Sequence, residues 1–441
     1  MRARLARWFR DGSLRRLFRH CFELILGDVA SNGLQIVSLA IATRALGAPL
    51  LGVLVLIQTY TSIVEELVTF QSWKALIRFG AGHVHDPDRT KLAGVLKIGF
   101  LLDLASAAVA TVLAVAGAAA FARWNGFEPG TTDLIVLSSL GILTTVTGMP
   151  TAALRLFERF RLFSVQKTIA AAMRLAGVAL AAWLDAGLEG FVIAYLVAAV
   201  TGRLVLCAFG WRVLAQNGLG GFLRAPTREW GEIARFSLWT NLITTVSLPI
   251  KYFDVLLVGK LVSLEGVAVY KIIKQVSLVM TMVSDSVYQV IYPRLAGFLA
   301  RREFAAALSE ARRVGALLFA FTSLASLAVV VLGPWAIPLC FGPEYARDFL
   351  ALDTYMFLRA ISCAFVVVHP LFLAFGFVKR EVGILVVANT LYLGAAWVLG
   401  THYGLLGIVL AYGLQFSSVL APKCWFLRQE LRRTQETPAA A

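Results

Sequence analysis

Long apolar runs alternate with short polar interruptions along the chain, and a bilayer-crossing helix needs about 20 such residues. The runs predict twelve spans, near 24–43, 50–71, 95–121, 133–153, 164–184, 188–209, 236–258, 266–290, 314–338, 350–376, 382–400 and 404–426. Connections as short as 185–187 and 401–403 make their flanking helices antiparallel hairpins. Polar residues inside the runs are patterned too. Lys271, Lys274, Gln275, Thr281, Asp285 and Gln289 share one face of span eight, interrupted by Leu278. Span one repeats this with Asp28, Asn32, Gln35 and Ser38, span two with Gln58, Ser62, Glu65 and Thr69, and span seven with Asn241, Thr244, Thr245, Lys251 and Asp254. These stripes predict a polar cavity lined by spans one, two, seven and eight.

A weak internal repeat organises the spans. Ser31-Asn32 in span one corresponds to Thr240-Asn241 in span seven, and LGAPLLGVLVLIQ (46–58) to LVSLEGVAVYKIIKQ (261–275), with Gly52 opposite Gly266. Arg78…Gly82 and Arg294…Gly297 then follow spans two and eight. The expected organisation is an interfacial basic helix over 1–23, an N-lobe over 24–209 (helices 1–6), an inter-lobe linker over 210–235, a C-lobe over 236–427 (helices 7–12) and a tail over 428–441. The fold class is thus an all-α polytopic membrane protein, two six-helix lobes about a central cavity.

Composition agrees. Of 441 residues, 59% are hydrophobic and 15% charged, and mean hydropathy is +0.76. That excludes a disordered tail, a collagen-like chain and a secreted disulfide scaffold. The five cysteines (Cys21, Cys207, Cys340, Cys363, Cys424) form no CxxC pair and read as reduced thiols. The net charge of +15 would suggest nucleic acid, but its placement gives another reason. Loops on one side, with both termini, hold roughly 30 Lys and Arg, and the opposite loops about 4 (Arg44, Arg123, Lys260, Arg347). The positive-inside rule puts both termini in the cytoplasm, where this charge meets anionic lipid headgroups; no nucleic-acid partner is needed. The segment after the basic N-terminus lacks a cleavage site, so it reads as an uncleaved span with Trp8 and Phe9 at the headgroups.

Charge within spans is costly, about 2.5–3.5 kcal/mol per residue at the centre on insertion scales. Asp28, Glu65, Glu66, Asp103, Arg174, Arg203, Lys251, Asp254, Lys271, Lys274, Asp285 and Arg359 all fall there. Lys251 and Asp254 are spaced to neutralise each other, and Lys271 to snorkel. Glu65 and Glu66 point about 100° apart, so one at most faces the cavity centre. Arg174 and Arg359 sit near mid-span and cannot shed their charge. No P-loop, GxSxG elbow or HExxH motif is present, and no cofactor or metal is expected. His83 and His85 in HVHDPD read as a solvated loop, and His369-Pro370 as a helix kink.

The LGAPLLGVLVLIQ hairpin, twelve spans in two lobes, and Phe341-Gly342-Pro343-Glu344-Tyr345-Ala346 together resemble the polysaccharide flippases of the MOP (multidrug/oligosaccharidyl-lipid/polysaccharide) exporter superfamily. The hairpin departs from the family pattern in carrying Pro49 within the turn. The resemblance implies a non-enzymatic flippase in a bacterial inner membrane. It would move a lipid-linked oligosaccharide on undecaprenyl pyrophosphate by alternating access, alongside a polysaccharide polymerase and assembly proteins. In that reading Arg174, Lys251, Lys271, Lys274 and Arg359, with Asn32, Asn241 and Gln275, would meet the substrate. Asp28, Glu65, Glu66, Asp254 and Asp285 would couple flipping to an ion gradient. A MATE-type multidrug antiporter shares the fold but favours a negative cavity. A glycosyltransferase or polymerase would need a large outer loop, and here the longest are about 122–132 and 339–349.

Overall fold

The computed structural model describes residues 12–436 except 71, 85, 87, 228–229 and 302, with side chains for most positions from Gly27 onward. Trp8, Phe9 and His85 lie outside the described residues. Regular structure is helical throughout: α1 (Gly12–Val68), α2 (Ser72–Gly80), α3 (Thr90–Asn125), α4 (Thr131–Leu140), α5 (Gly148–Leu156), α6 (Phe160–Trp183), α7 (Gly187–Gln216), α8 (Trp230–Val246), α9 (Asp254–Leu261), α10 (Leu264–Ala300), α11 (Phe304–Phe341), α12 (Phe349–Ala364), α13 (Val368–Ala374) and α14 (Val378–Glu436).

Two of these are double. A straight helix as long as α1 would extend about 85 Å, nearly three hydrocarbon cores. It is broken at Gly47, where φ is 69° and ψ 171°. The break in α14 is Gly404, φ 58°. A Cβ on Gly407 would lie 1.9 Å from the Leu399 carbonyl oxygen, so the chain reverses there. A straight helix would hold those residues about 12 Å apart. Among the described residues nine stretches are long and apolar enough to cross a membrane, ten with the bent pair Trp230–Val246 and Pro249–Leu261. Dividing the stretches 27–83 and 380–430 at their glycines brings the count to the twelve expected.

Three spans are interrupted midway. The fourth is α4 and α5, separated at 145–147, and the tenth is α12 and α13, separated at 365–367. These two are six apart in the order, as a six-helix repeat requires. The seventh is α8 and α9, bent by 41° about a π-helical turn at Pro249–Phe253.

Contacts divide the chain into two compact units. Unit 1 is Met1–Gly47 with Ile57–Thr245, and unit 2 is Ala48–Leu56 with Val246–Ala441. Unit 1 packs Leu76, Leu92, Leu96, Met149, Leu214 and Phe222 into a core, closed by edge-on contacts among Phe100, Trp211 and Phe222. Unit 2 buries Ile291, Leu295, Val367, Leu371, Phe372 and Leu427. In unit 2 the two motifs of the predicted repeat meet: a Cβ on Gly52 would lie 2.1 Å from the Leu264 carbonyl oxygen. That glycine lets two backbones touch, as small residues do between membrane helices. Elsewhere apolar side chains face outward, among them Val112 on α3 and Leu317, Leu324, Trp335 and Leu339 on α11. Each would be worth about 1.5–3 kcal/mol if buried from water, so this surface belongs in hydrocarbon. The protein is a multi-pass membrane protein.

The loop motifs are anchors. Gly342 (φ 122°) ends α11, and Phe341 and Tyr345 on either side of the FGPEY turn are buried, which pushes the Tyr345 phenol above its usual range. In the HVHDPD loop, His83 Nδ1 pairs with Asp86 at 2.7 Å and the Arg89 guanidinium donates to the Val84 carbonyl. At the start of α3 the Thr90 hydroxyl, and then its N–H at 2.9 Å, donate to Asp88 and hold its carboxyl below the usual range. Lys97, two turns into α3, donates to the Ala225 carbonyl at 3.1 Å.

Candidate functional site within the spans

Every broken span frees backbone carbonyls and amides that lipid cannot satisfy, so side chains from neighbouring helices must. In unit 1, Asp103 on α3 accepts the N–H groups of Gly148 (2.9 Å) and Met149 (3.2 Å), the buried N-terminus of α5. Arg203 on α7 donates to the Gly141 carbonyl at 2.8 Å, and the Cys207 thiol to that of Val146 at 3.3 Å. In unit 2 the bent seventh span is treated alike. Asn389 donates to the Val246 carbonyl at 2.6 Å, and Gln415 donates to Asn389 at 3.3 Å. Lys274 donates to the Lys251 carbonyl at 2.9 Å, inside the π-helical turn. Much of the intramembrane polarity therefore closes backbone breaks.

The predicted residues fall into both units. Unit 1 holds Asp28, Asn32, Glu65, Glu66, Arg174 and Asn241. Lys167 meets Asp28 at 2.5 Å and Arg174 meets the Gln35 carbonyl oxygen at 3.3 Å. These are two rungs seven residues apart on each helix, so spans one and five run parallel in register. Arg203 meets Glu65 at 2.7 Å. Asn241 donates to the Thr69 carbonyl at 2.7 Å, just past the end of α1. The Asn32 amide donates to the Asp28 carbonyl of its own helix at 2.8 Å.

Unit 2 holds Lys251, Asp254, Lys271, Lys274, Gln275, Asp285 and Arg359. Asp254 is buried, and it accepts from the Tyr270 hydroxyl and from Lys274, each at 2.8 Å. Its lysine thus comes from α10 across a hairpin. Arg359 on α12 donates to Thr281 at 2.5 Å and to the Tyr412 hydroxyl at 2.8 Å. Its Nε is buried without an acceptor, as are Arg174 Nε and the Gln275 amide nitrogen. Besides the Gln35 side-chain amide oxygen, Arg174 meets the Tyr195 ring, 5.0 Å from its guanidinium carbon. Among the described residues neither arginine meets a carboxylate, whereas Lys167, Arg203 and Lys274 each do.

Sequence reasoning missed one buried cluster. Lys423 and Glu381, both almost fully buried, pair at 2.7 Å, and His369 Nδ1 lies 3.2 Å from Glu381 and 3.3 Å from Lys423. A lysine within the otherwise apolar run 404–426 was the available signal. Glu381, at the edge of span eleven, read as loop.

Comparison with known proteins follows this geometry. The family profile described as "Polysaccharide biosynthesis protein" matches residues 17–298. The inner membrane protein YghQ of Escherichia coli K12 is 28% identical over 180 residues, which cover 41% of this chain and 51% of that protein. The chain thus matches about half the length of this curated relative. An inward-facing multidrug resistance MATE family transporter of the MOP superfamily superposes with a TM-score of 0.74 at 13% identity, over 94% of this chain and 96% of the other. The lipid II flippase MurJ, in an inward closed conformation, does so with a TM-score of 0.71 at 12% identity, over 92% and 87%. At such identity these likenesses establish the fold. With the family profile matching well over half its length, the chain belongs to the polysaccharide biosynthesis protein family, built on the fold of MOP-superfamily transporters.

Proposed function

We propose that the protein is a flippase carrying a lipid-linked oligosaccharide, on a polyprenyl pyrophosphate such as undecaprenyl pyrophosphate, across the inner membrane for surface polysaccharide assembly. It works by alternating access, with both termini cytoplasmic, and a polysaccharide polymerase acts on what it delivers. The observation that carries this reading is the pair of intramembrane arginines, one in each unit, held by neutral partners. A guanidinium whose Nε has no acceptor is ready for an anion, and its planar fork suits phosphate. At about 4 Å and an effective dielectric near 20, one such contact attracts by about 4 kcal/mol. Membership of the polysaccharide biosynthesis protein family supports the same substrate class, and the fold shared with MurJ is compatible with it. Lys271 and Gln275 lie on the same helix as the Thr281 that holds Arg359, and extend the substrate contact. The carboxylates Asp28, Glu65 and Asp254 are paired with cations, so under this reading they relay charge by exchanging partners.

The test uses a deletion strain complemented at equal protein level. Arg174→Gln and Arg359→Gln together should abolish surface polysaccharide and leave lipid-linked oligosaccharide on the cytoplasmic face. Unchanged export overturns the reading, and protein-dependent ethidium efflux would favour a multidrug antiporter instead.

A further inference from the structure

His369 on α13 faces two groups that it cannot serve in one protonation state. Its Nδ1 lies 3.3 Å from Lys423 Nζ, which can only donate, and 3.2 Å from Glu381 Oε1, which as a carboxylate can only accept. With Nδ1 bare, the ring accepts from Lys423. With Nδ1 protonated, it donates to Glu381. Glu381 Oε2 is buried and has no hydrogen-bond partner among the described residues. A second acceptor site is therefore already in place for the lysine once the imidazolium repels it.

We propose that His369, Glu381 and Lys423 form a proton-binding switch, at which uptake of one proton on His369 Nδ1 transfers Oε1 from Lys423 to histidine and moves Lys423 to Oε2. No covalent bond other than N–H forms. The switch joins three segments: the short second half of span ten, the first turn of α14 and the end of span twelve. Protonation thus alters how those segments are held together. Among the described residues α10 and α14 pack on α13, and α11 joins the same apolar cluster through Ala307 and Ala311, its Glu310 paired with Arg294 of α10 at 2.9 Å. From α10, the Tyr288 ring stacks on His369 at 5.6 Å and 22°, with Asp285 about one turn away. From α14 come Glu381 and Lys423, with Cys424 next in the chain, while Arg380 turns aside onto Phe377 and Phe426. His369 keeps 40% of its side chain exposed, which leaves the ring reachable, whereas Glu381 and Lys423 are sealed at 8% and 6%. Resting on the flippase reading, this deepens it: the switch is where the transport cycle takes up its driving proton.

Nitrogen-15 NMR of histidine-labelled full-length protein in lipid nanodiscs reads the switch directly, with His369→Gln assigning one of the five histidine signals. The expected result is an Nε2-protonated ring at high pH that gains its second proton on acidification. Glu381→Gln should move that midpoint down, and Lys423→Met up, each by about 1 pH unit or more. The double variant, which strands no charge, should bring the midpoint back between those of the two single variants. An identical midpoint in all four proteins, or Nδ1 protonated at every pH, overturns the switch. The coupling role is read in proteoliposomes under an imposed pH gradient, with an NBD-labelled undecaprenyl pyrophosphate trisaccharide as probe. His369→Gln should remove the gradient-driven part of flipping. Its retention overturns coupling at this site. A parent protein that titrates as expected but does not flip the probe overturns the flippase reading and leaves the switch standing.

Discussion

The two units neutralise intramembrane charge differently. In unit 1 two ion pairs join helix to helix and stay partly open: Lys167 and Asp28 are 34% and 37% exposed, and Arg203 and Glu65 are 21% and 30%, while the sealed Asp103 is held by backbone N–H groups. In unit 2 two carboxylates are sealed in ion pairs and each has a third group: Asp254 has Tyr270 beside Lys274, and Glu381 has His369 beside Lys423. Burial explains the contrast. A solvated or half-open carboxylate can finish its hydrogen bonding with water or headgroups, while a sealed one must find every donor within the protein.

The sharpest way to break this contrast is to remove one cation from each kind of site. Lys423→Met strands a sealed carboxylate and should cost about 3–5 kcal/mol, seen as a large fall in melting midpoint in detergent, with most of it recovered in the Glu381→Gln, Lys423→Met double variant. If the single variant melts like the parent, unit 2 is not sealed as described. Next come the arginines that neither unit pairs with a carboxylate. Arg359→Gln should slow flipping by about 10- to 100-fold, as loss of a charge-assisted hydrogen bond of about 1.5–3 kcal/mol implies, with little change in melting. Arg174→Gln should do the same in unit 1. A slowing confined to one would show that only that unit meets the anion. Gly52→Ala places a methyl against the Leu264 backbone and should cost about 1–3 kcal/mol, measured by the same melting assay. The smallest effect is expected from Lys167→Met in unit 1: about 0.2–1 kcal/mol, since its partner is a third exposed. A loss as large as that of Lys423→Met would erase the distinction between the units.

Which parts were legible in the sequence follows from the range of the interactions involved. The interruptions at 44–49 and 401–403 were visible in the pattern, and the helices broken at Gly47 and Gly404 divide at or beside them. The LG hairpin was legible as a motif. That Gly52 serves a backbone crossing with Leu264 was not, because it depends on two segments about 210 residues apart in sequence meeting face to face. Asp254 was read against its neighbour Lys251, three residues away, but Lys274 and Tyr270 across the hairpin hold it. Asp103 and Arg203 were legible only as charges within spans, given no role of their own. Their geometry shows them closing the break in span four, which hydropathy cannot reveal because both halves are apolar. His369 was assigned to a kink with Pro370. The break lies just before it, at 365–367, and the imidazole faces a buried ion pair instead.

By itself the sequence determined that this chain is helical, polytopic and crosses a membrane twelve times, because hydrocarbon imposes its demand locally: about 20 apolar residues per span, whatever lies beside them. It also determined that charge within those spans must be accommodated. Which charge meets which was decided only by tertiary packing. The partners of Asp28, Glu65 and Glu381 come from 139, 138 and 42 residues away. Electrostatic energy depends on separation and burial in space, and a linear pattern encodes neither.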